Sequence, residues 1–182
     1  MLLHRSRNRD NWAMIAVPRP LPVWLPLKAR LVPALSTMAG SAVVLLPVVA
    51  VGPSMPPFGL LMLLAWRLLR PEMWPAWVAL PLGLFDDLLS GQMLGTSMAI
   101  WTVASLIFDW IDHHLLWRDF WMEWALAALT ILFAVMGGWA VSRSYVAYGS
   151  VVVAMPQAVL SVLVFPALVR LVAALDRWRL AR

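Results

Sequence analysis

Gly83-Leu-Phe-Asp-Asp-Leu-Leu-Ser-Gly-Gln-Met-Leu-Gly95 is the stretch from which the rest of this chain is read. Two adjacent carboxylates stand at the end of one apolar run, a Ser-Gly break follows, and a second glycine opens the next apolar run. The flanking runs are Trp74–Leu89, with Pro75 in its first turn and Pro81 inside it, and Leu94–Ile111. Working outward, four more segments of the same kind appear. Leu31–Val51 is closed by Gly52-Pro53, and Phe58–Leu69 lies between Pro56-Pro57 and Arg70-Pro71. Trp121–Val141 and Val151–Leu175 complete the set. A membrane-spanning helix needs about 20 apolar residues. The second and third segments are short for that, and a re-entrant pair surrounded by protein is the alternative reading for them.

Composition points the same way. Of 182 residues, 63% are hydrophobic and 13% charged, against roughly 45–50% apolar and 25% charged in a soluble domain. A soluble fold of this size leaves too much apolar surface in water, and a disordered chain is poor in apolar residues. The expectation is an all-α integral membrane protein, a bundle of about six transmembrane helices. The absence of cysteine removes disulfides, thiolate chemistry and Cys-ligated metals. The net charge of +5 sits at chain ends and helix ends, which reads as membrane topology and not as a nucleic-acid surface.

Charge placement orients the six segments. With the amino terminus in the cytoplasm, Arg5, Arg7, Arg9, Arg19, Lys28, Arg30, Arg67, Arg70, Arg118, Arg170, Arg177, Arg179 and Arg182 all lie inside, and Arg143 alone lies outside. That bias predicts an inner-membrane, multi-pass protein with both termini cytoplasmic. Trp66, Trp74, Trp77, Trp110, Trp117, Trp121, Trp124 and Trp178 fall near the same interface, where an indole ring is well placed. The basic opening MLLHRSRNRDNW is not followed by a short apolar run and cleavage site, so the first helix is read as retained. The organisation is thus a basic interfacial tail over 1–30, a six-helix domain over 31–175 and a basic tail over 176–182. The external loops are short and nearly uncharged, and no internal repeat of the transporter kind is visible.

Within this frame Asp86 and Asp87 are the first functional candidates, because ionisable groups inside a membrane are costly. The plainer alternative places them at the outer interface, solvated or capping the turn. Gly91 and Gly95 have the GxxxG spacing that permits close helix packing. Asp109, Asp112, His113, His114, Arg118, Asp119 and Glu123 form a polar cytoplasmic cluster. Adjacent histidines on a helix diverge, so a solvated loop is favoured there over a metal site. Arg67 and Arg170 read as snorkelling arginines, and Gln157 as a group needing an interhelical hydrogen bond. Pro47, Pro81, Pro156 and Pro166 are expected to kink their helices. No cofactor is implied.

The residues Gly83, Asp87, Ser90, Gly91, Leu94 and Gly95 carry a resemblance to the MreD family of rod-shape-determining membrane proteins. That family's hallmark is a Gly, an Asp four residues on, then Ser-Gly and Leu-Gly at a junction of two central helices. Pro57 through Arg70 resembles the family's preceding helix, and the last helix, with its late Pro and basic tail, is also similar. The likeness covers roughly Pro53 to Arg182, and Asp86 departs from the usual single acid. The resemblance implies a non-enzymatic scaffold of the bacterial cell-wall elongation complex. Its partners are then an MreC-type single-span coiled-coil protein and, indirectly, MreB, RodA and the elongation transpeptidase. It also implies a fold similar to the six-helix substrate-binding subunits of energy-coupling-factor transporters.

Two other classes compete. A substrate-capture subunit of such a transporter needs a cavity with convergent polar groups, and Asp86, Asp87, Ser90, Gln92, Thr96, Arg143 and Tyr145 are the residues near enough to the outer side. An intramembrane aspartyl hydrolase needs two acids from different helices at one depth. Adjacent Asp86 and Asp87 diverge, while Asp109 and Asp112 lie at the opposite face. Serine chemistry fails in the same way, since His4, His113 and His114 are cytoplasmic and Ser90 is external.

Overall fold

A computed structural model of the chain describes residues 27–45, 55–114, 120–143 and 151–180. Six α-helices account for most of them: α1 (Leu27–Ala42), α2 (Phe58–Leu69), α3 (Ala79–Ser90), α4 (Thr96–His114), α5 (Phe120–Arg143) and α6 (Val151–Leu180). Short 3-10 turns follow α1 at Val43–Leu45 and link α2 to α3 at Pro71–Met73 and Ala76–Val78. No strand occurs among the described residues.

The centre of the molecule is α2. Its residues from Gly59 to Arg67 are buried without interruption, so every face of the helix meets protein. A helix that is apolar all round is stable only in such a place. Pro56 and Pro57 precede it, and Pro71 ends it by denying Arg70 a helical conformation. At 12 residues α2 is about 18 Å long, short of the ~30 Å hydrocarbon core of a bilayer. It packs against α1, α3, α5 and α6.

Contacts between helices sort into two ends and fix their directions. Trp66 near the end of α2 reaches Ser36 of α1, while Gly59 at the start of α2 lies against Ser41. Asp87 late in α3 meets the first turn of α4. Arg67 of α2 pairs with Asp109 late in α4, and Arg70 pairs with Asp176 late in α6. Gln157 early in α6 donates to the Met55 carbonyl just before α2, 2.9 Å away. Ile100 early in α4 touches Gly137 late in α5. Successive helices therefore alternate in direction. One end of the bundle gathers the carboxylates of α3, the other the arginines of α2 and α6.

Several helix limits differ from those read in the sequence. The first helix begins at Leu27, not Leu31; the expected continuation to Val51 lies outside the described residues beyond Leu45. The run Trp74–Leu89 starts as 3-10 turns, with the α-helix beginning at Ala79. Pro81 thus occupies the first turn of α3, where its missing N–H costs nothing, and not the helix interior from which a kink was expected. Pro156 and Pro166 do lie inside a helix, and Pro47 falls outside the described residues. The fourth and sixth helices continue past Asp109 and Asp176 to His114 and Leu180.

Two segments, Met122–Val141 and Ala154–Leu180, are long and apolar enough to cross a membrane. Only 22% and 17% of their most apolar windows is buried inside the molecule. The core helix of a water-soluble fold behaves oppositely, hiding its apolar face and exposing its polar one. Here Leu129, Leu132, Phe133 and Met136 of α5 and Val159, Leu160 and Leu163 of α6 all face outward.

Candidate functional site

The junction of α3 and α4 is built around a single carboxylate. Asp87 is 1% exposed, and both of its oxygens accept hydrogen bonds from the start of α4. The Ser97 N–H donates to Oδ1 at 2.7 Å, and the N–H groups of Gly95 and Met98 donate to Oδ2 at 2.8 and 3.3 Å. The remaining donor of the opening turn, the Thr96 N–H, bonds the Met93 carbonyl at 3.1 Å. The opening of an α-helix leaves four N–H groups without intrahelical partners. All four are satisfied here, three of them by a side chain from the preceding helix. The carboxylate also faces the positive end of the α4 dipole.

Glycines make this reach possible in two distinct ways. Gly83 lies one turn before Asp87 on the same face of α3. A Cβ there would stand 2.6 Å from the Met98 Cα and 2.8 Å from its nitrogen. The missing side chain lets the two backbones close until Asp87 meets the α4 amides. Gly95 takes the N-cap position of α4, its carbonyl accepting from the Ala99 N–H at 2.9 Å, and it has no side chain with which to cap. Its φ of 99° and the φ of 66° at Gly91, where α3 ends, suit glycine.

This corrects the sequence reading of Gly91 and Gly95 as a close-packing pair. Among the described residues, no atom beyond the immediate chain neighbours lies within 4 Å of where either Cβ would be. The tight contacts belong instead to Gly83 and to Gly59, which sequence spacing did not single out for packing. A Cβ on Gly59 would lie 2.1 Å from Ser41 Oγ, 2.9 Å from the Trp101 ring and 3.0 Å from Asp86 Oδ1.

Asp86 points elsewhere than its neighbour. Its Oδ2 accepts from the Ser97 hydroxyl at 2.9 Å, and the Ser41 hydroxyl faces the same carboxylate. Ser97 therefore serves both acids, with its N–H to Asp87 and its O–H to Asp86. Asp87 is buried, not solvated at an interface. Ser90 closes α3 with a buried hydroxyl that has no hydrogen-bond partner among the described residues, and Leu94 is 69% exposed in the turn. Of the polar groups weighed for a ligand cavity, Thr96 is buried and Gln92 is exposed. Tyr145 and the side chain of Arg143 lie outside the described residues.

A second polar layer, at the opposite end, was not assembled from the sequence. Arg67 is 5% exposed and does not snorkel: its guanidinium pairs with Asp109 and reaches the Trp74 carbonyl at 3.5 Å. Asp109, read as part of a loop cluster, is thus a helical partner of α2. Asp176 accepts from Arg70 at 2.9 Å and from Arg179 Nε at 2.7 Å. The Arg179 guanidinium lies 4.9 Å from the centre of the Trp66 ring and donates to Met73 Sδ at 3.0 Å. Trp66 itself is fully buried, with its Nε1–H on Ser36 Oγ at 2.8 Å, so it is not an interfacial residue as the sequence suggested. Trp77, Trp110 and Trp178 are exposed. The signal available in sequence was the set of charges three apart, Arg67 with Arg70 and Asp176 with Arg179, placed at the ends of apolar runs. His113, Arg118, Asp119 and the other residues from 115 to 119 lie outside what is described for side chains.

The chain matches no family model, no curated protein and no solved structure.

Proposed function

We propose that this chain is a membrane-embedded, non-enzymatic scaffold of the MreD kind, which helps hold the bacterial cell-wall elongation complex together in the inner membrane. The observation that carries the reading is the α3–α4 clamp. Four of the six residues on which the resemblance rests make one structural unit: Gly83 admits α4, Asp87 caps it, and Gly91 and Gly95 turn the chain between them. Every hydrogen bond described for Asp87 goes to backbone amides, which is a use for shape and not for turnover.

Embedding in a bilayer is supported by the outward apolar faces of α5 and α6 and by the enclosed, short α2. The alternation of helix directions, which gathers the arginines of α2 and α6 at one end, supports an orientation with that end and both termini cytoplasmic. In this reading the partner is a single-span coiled-coil protein of the MreC type, with MreB, RodA and the elongation transpeptidase reached through it.

Two measurements test the proposal. Resistance of the protein to alkaline carbonate extraction from membranes tests the embedding, and release into the supernatant overturns it. Affinity purification in mild detergent with mass spectrometry tests the role. Co-purification of an MreC-type protein supports it. Recovery of a transmembrane transducer with paired ATPases instead overturns it and makes the chain a transporter subunit.

A further inference from the structure

Both oxygens of Asp87 are taken by the amides of α4, but Asp86 beside it is differently placed. Asp86 is half-buried, and its Oδ2 accepts from the Ser97 hydroxyl at 2.9 Å. Its Oδ1 stands against Gly59 of α2, on the same side as Ser41 Oγ of α1. A Cβ on Gly59 would lie 3.0 Å from the one oxygen and 2.1 Å from the other, so the bare glycine is what lets both come so near. Ser41 is 4% exposed, and its hydroxyl has no hydrogen-bond partner among the described residues. A buried hydroxyl that faces a carboxylate without bonding to it is costly and calls for a third party.

Charge and donor type narrow what that party is. The ion pairs of Arg67, Arg70 and Arg179 lie at the opposite end of the bundle, and no Lys or Arg among the described residues pairs with Asp86. Asp87 is answered by three amides and the α4 dipole, whereas Asp86 meets neutral hydroxyls. A carboxylate in an apolar bundle is stabilised by a partner of opposite charge. One carboxylate and two hydroxyls, brought together from α3, α1 and α4, are hard oxygen donors of the kind that alkali and alkaline-earth cations take. With Asp87 occupied, a single carboxylate remains, and among the described residues no group of three His, Asp or Glu could hold a metal ion. That charge count matches a monovalent cation, because divalent sites collect more carboxylates.

We propose that Asp86 Oδ1, with the hydroxyl oxygens of Ser41 and Ser97, binds a monovalent alkali cation at the carboxylate end of the bundle. The ion neutralises Asp86, supplies the partner that Ser41 Oγ lacks, and ties α1 to the α3–α4 junction. Ser97 joins the ion site to the clamp, since its N–H holds Asp87 while its hydroxyl holds Asp86. The site goes beyond the scaffold role and needs none of the partners named above, so ion binding and co-purification stand or fall separately.

The experiment uses the full chain, purified in mild detergent and held at about pH 8, above the carboxylate range. Binding of radioactive sodium is measured by scintillation proximity, with choline chloride keeping the ionic strength constant. Saturable binding, displaced by unlabelled sodium, is expected. Asp86→Asn, which keeps the shape and removes the charge, abolishes it. Ser41→Ala weakens the affinity about tenfold, the loss of one oxygen on a charged partner. Absence of saturable binding, or a sodium affinity unchanged in either variant, overturns the proposal. Displacement by calcium at far lower concentration than by unlabelled sodium overturns the monovalent assignment. Ser41→Ala decides the question even where Asp86→Asn proves unstable, because it removes a hydroxyl with no described hydrogen bond to lose.

Discussion

Asp87 and Gly95 stand eight residues apart in the chain and 2.8 Å apart in space, the glycine N–H donating to a carboxylate on the helix before it. An N-cap is normally a side chain of its own helix, bonding one amide of the first turn. In this protein the N-cap residue is a glycine, and the capping group is borrowed from α3. The consequence is mechanical: α4 keeps a satisfied first turn only while α3 stays beside it.

Asp87→Ala is therefore expected to destabilise the bundle by about 3 kcal/mol, more than an ordinary cap, because three amides, one buried and two partly buried, lose their acceptor together. Asp87→Asn distinguishes this clamp from a simple cap. Asn and Asp are about equal where one oxygen suffices, but here the amide nitrogen would face an N–H. The expected loss is about half that of Ala. Equilibrium unfolding of micelle-solubilised protein by dodecyl sulfate measures both, and an Asn variant as stable as wild type refutes the two-oxygen clamp.

Gly83→Ala tests the approach that makes the clamp reachable. The added methyl meets backbone atoms of Met98, which cannot rotate away, so overpacking of about 1–3 kcal/mol follows. Gly138 in α5 is the control, since among the described residues no neighbour outside its own helix backbone lies within 4 Å of where its Cβ would be. Gly138→Ala should be neutral or stabilising by up to about 1 kcal/mol, through helix propensity alone. The same unfolding titration reads both, and equal effects at the two positions would falsify the packing argument.

At Gly91 the constraint is conformational, not spatial. Its φ of 66° costs an L-residue about 1 kcal/mol, whatever the room around it. Gly91→Ala is expected to lose about that much and Gly91→Asn less, because Asn tolerates the left-handed region. A bulky replacement that cost several kcal/mol more than Ala would place a neighbour where the structure has open space.

These glycines show where sequence reading reached and where it stopped. The order Gly83, Asp87, Ser90-Gly91, Leu94-Gly95 marked the junction, since an acid one turn after a glycine shares its helix face. Which glycines pack tightly was not legible. The GxxxG spacing of Gly91 and Gly95 suggested packing, yet both lie in the turn, whereas Gly59 packs hard without any motif. Close approach depends on which face meets which neighbour, and that is a tertiary fact. Helix ends were misplaced for a related reason. The last apolar run was read as Val151–Leu175, but Asp176 is held by Arg70 and Arg179, so the helix continues into a polar layer. Partners 106 residues apart leave no local trace in the sequence.

The Arg67–Asp109 pair gives the last test, and its two halves should not behave alike. The Arg67 side chain is 4% exposed and that of Asp109 is 36% exposed. Removing Asp109 leaves a guanidinium buried among α2, α4 and the Trp74 turn, with its Nε already lacking a partner among the described residues. Breaking a buried pair in this way costs about 3–5 kcal/mol. Removing Arg67 leaves a carboxylate that turns toward solvent, so Arg67→Met is expected to cost about half as much as Asp109→Leu. The double variant, with an apolar residue at both positions, should be more stable than Asp109→Leu alone. A double-mutant cycle on the unfolding free energies measures this directly. Additive losses, or a costlier Arg67→Met, would mean that Arg67 is held by its surroundings independently of Asp109.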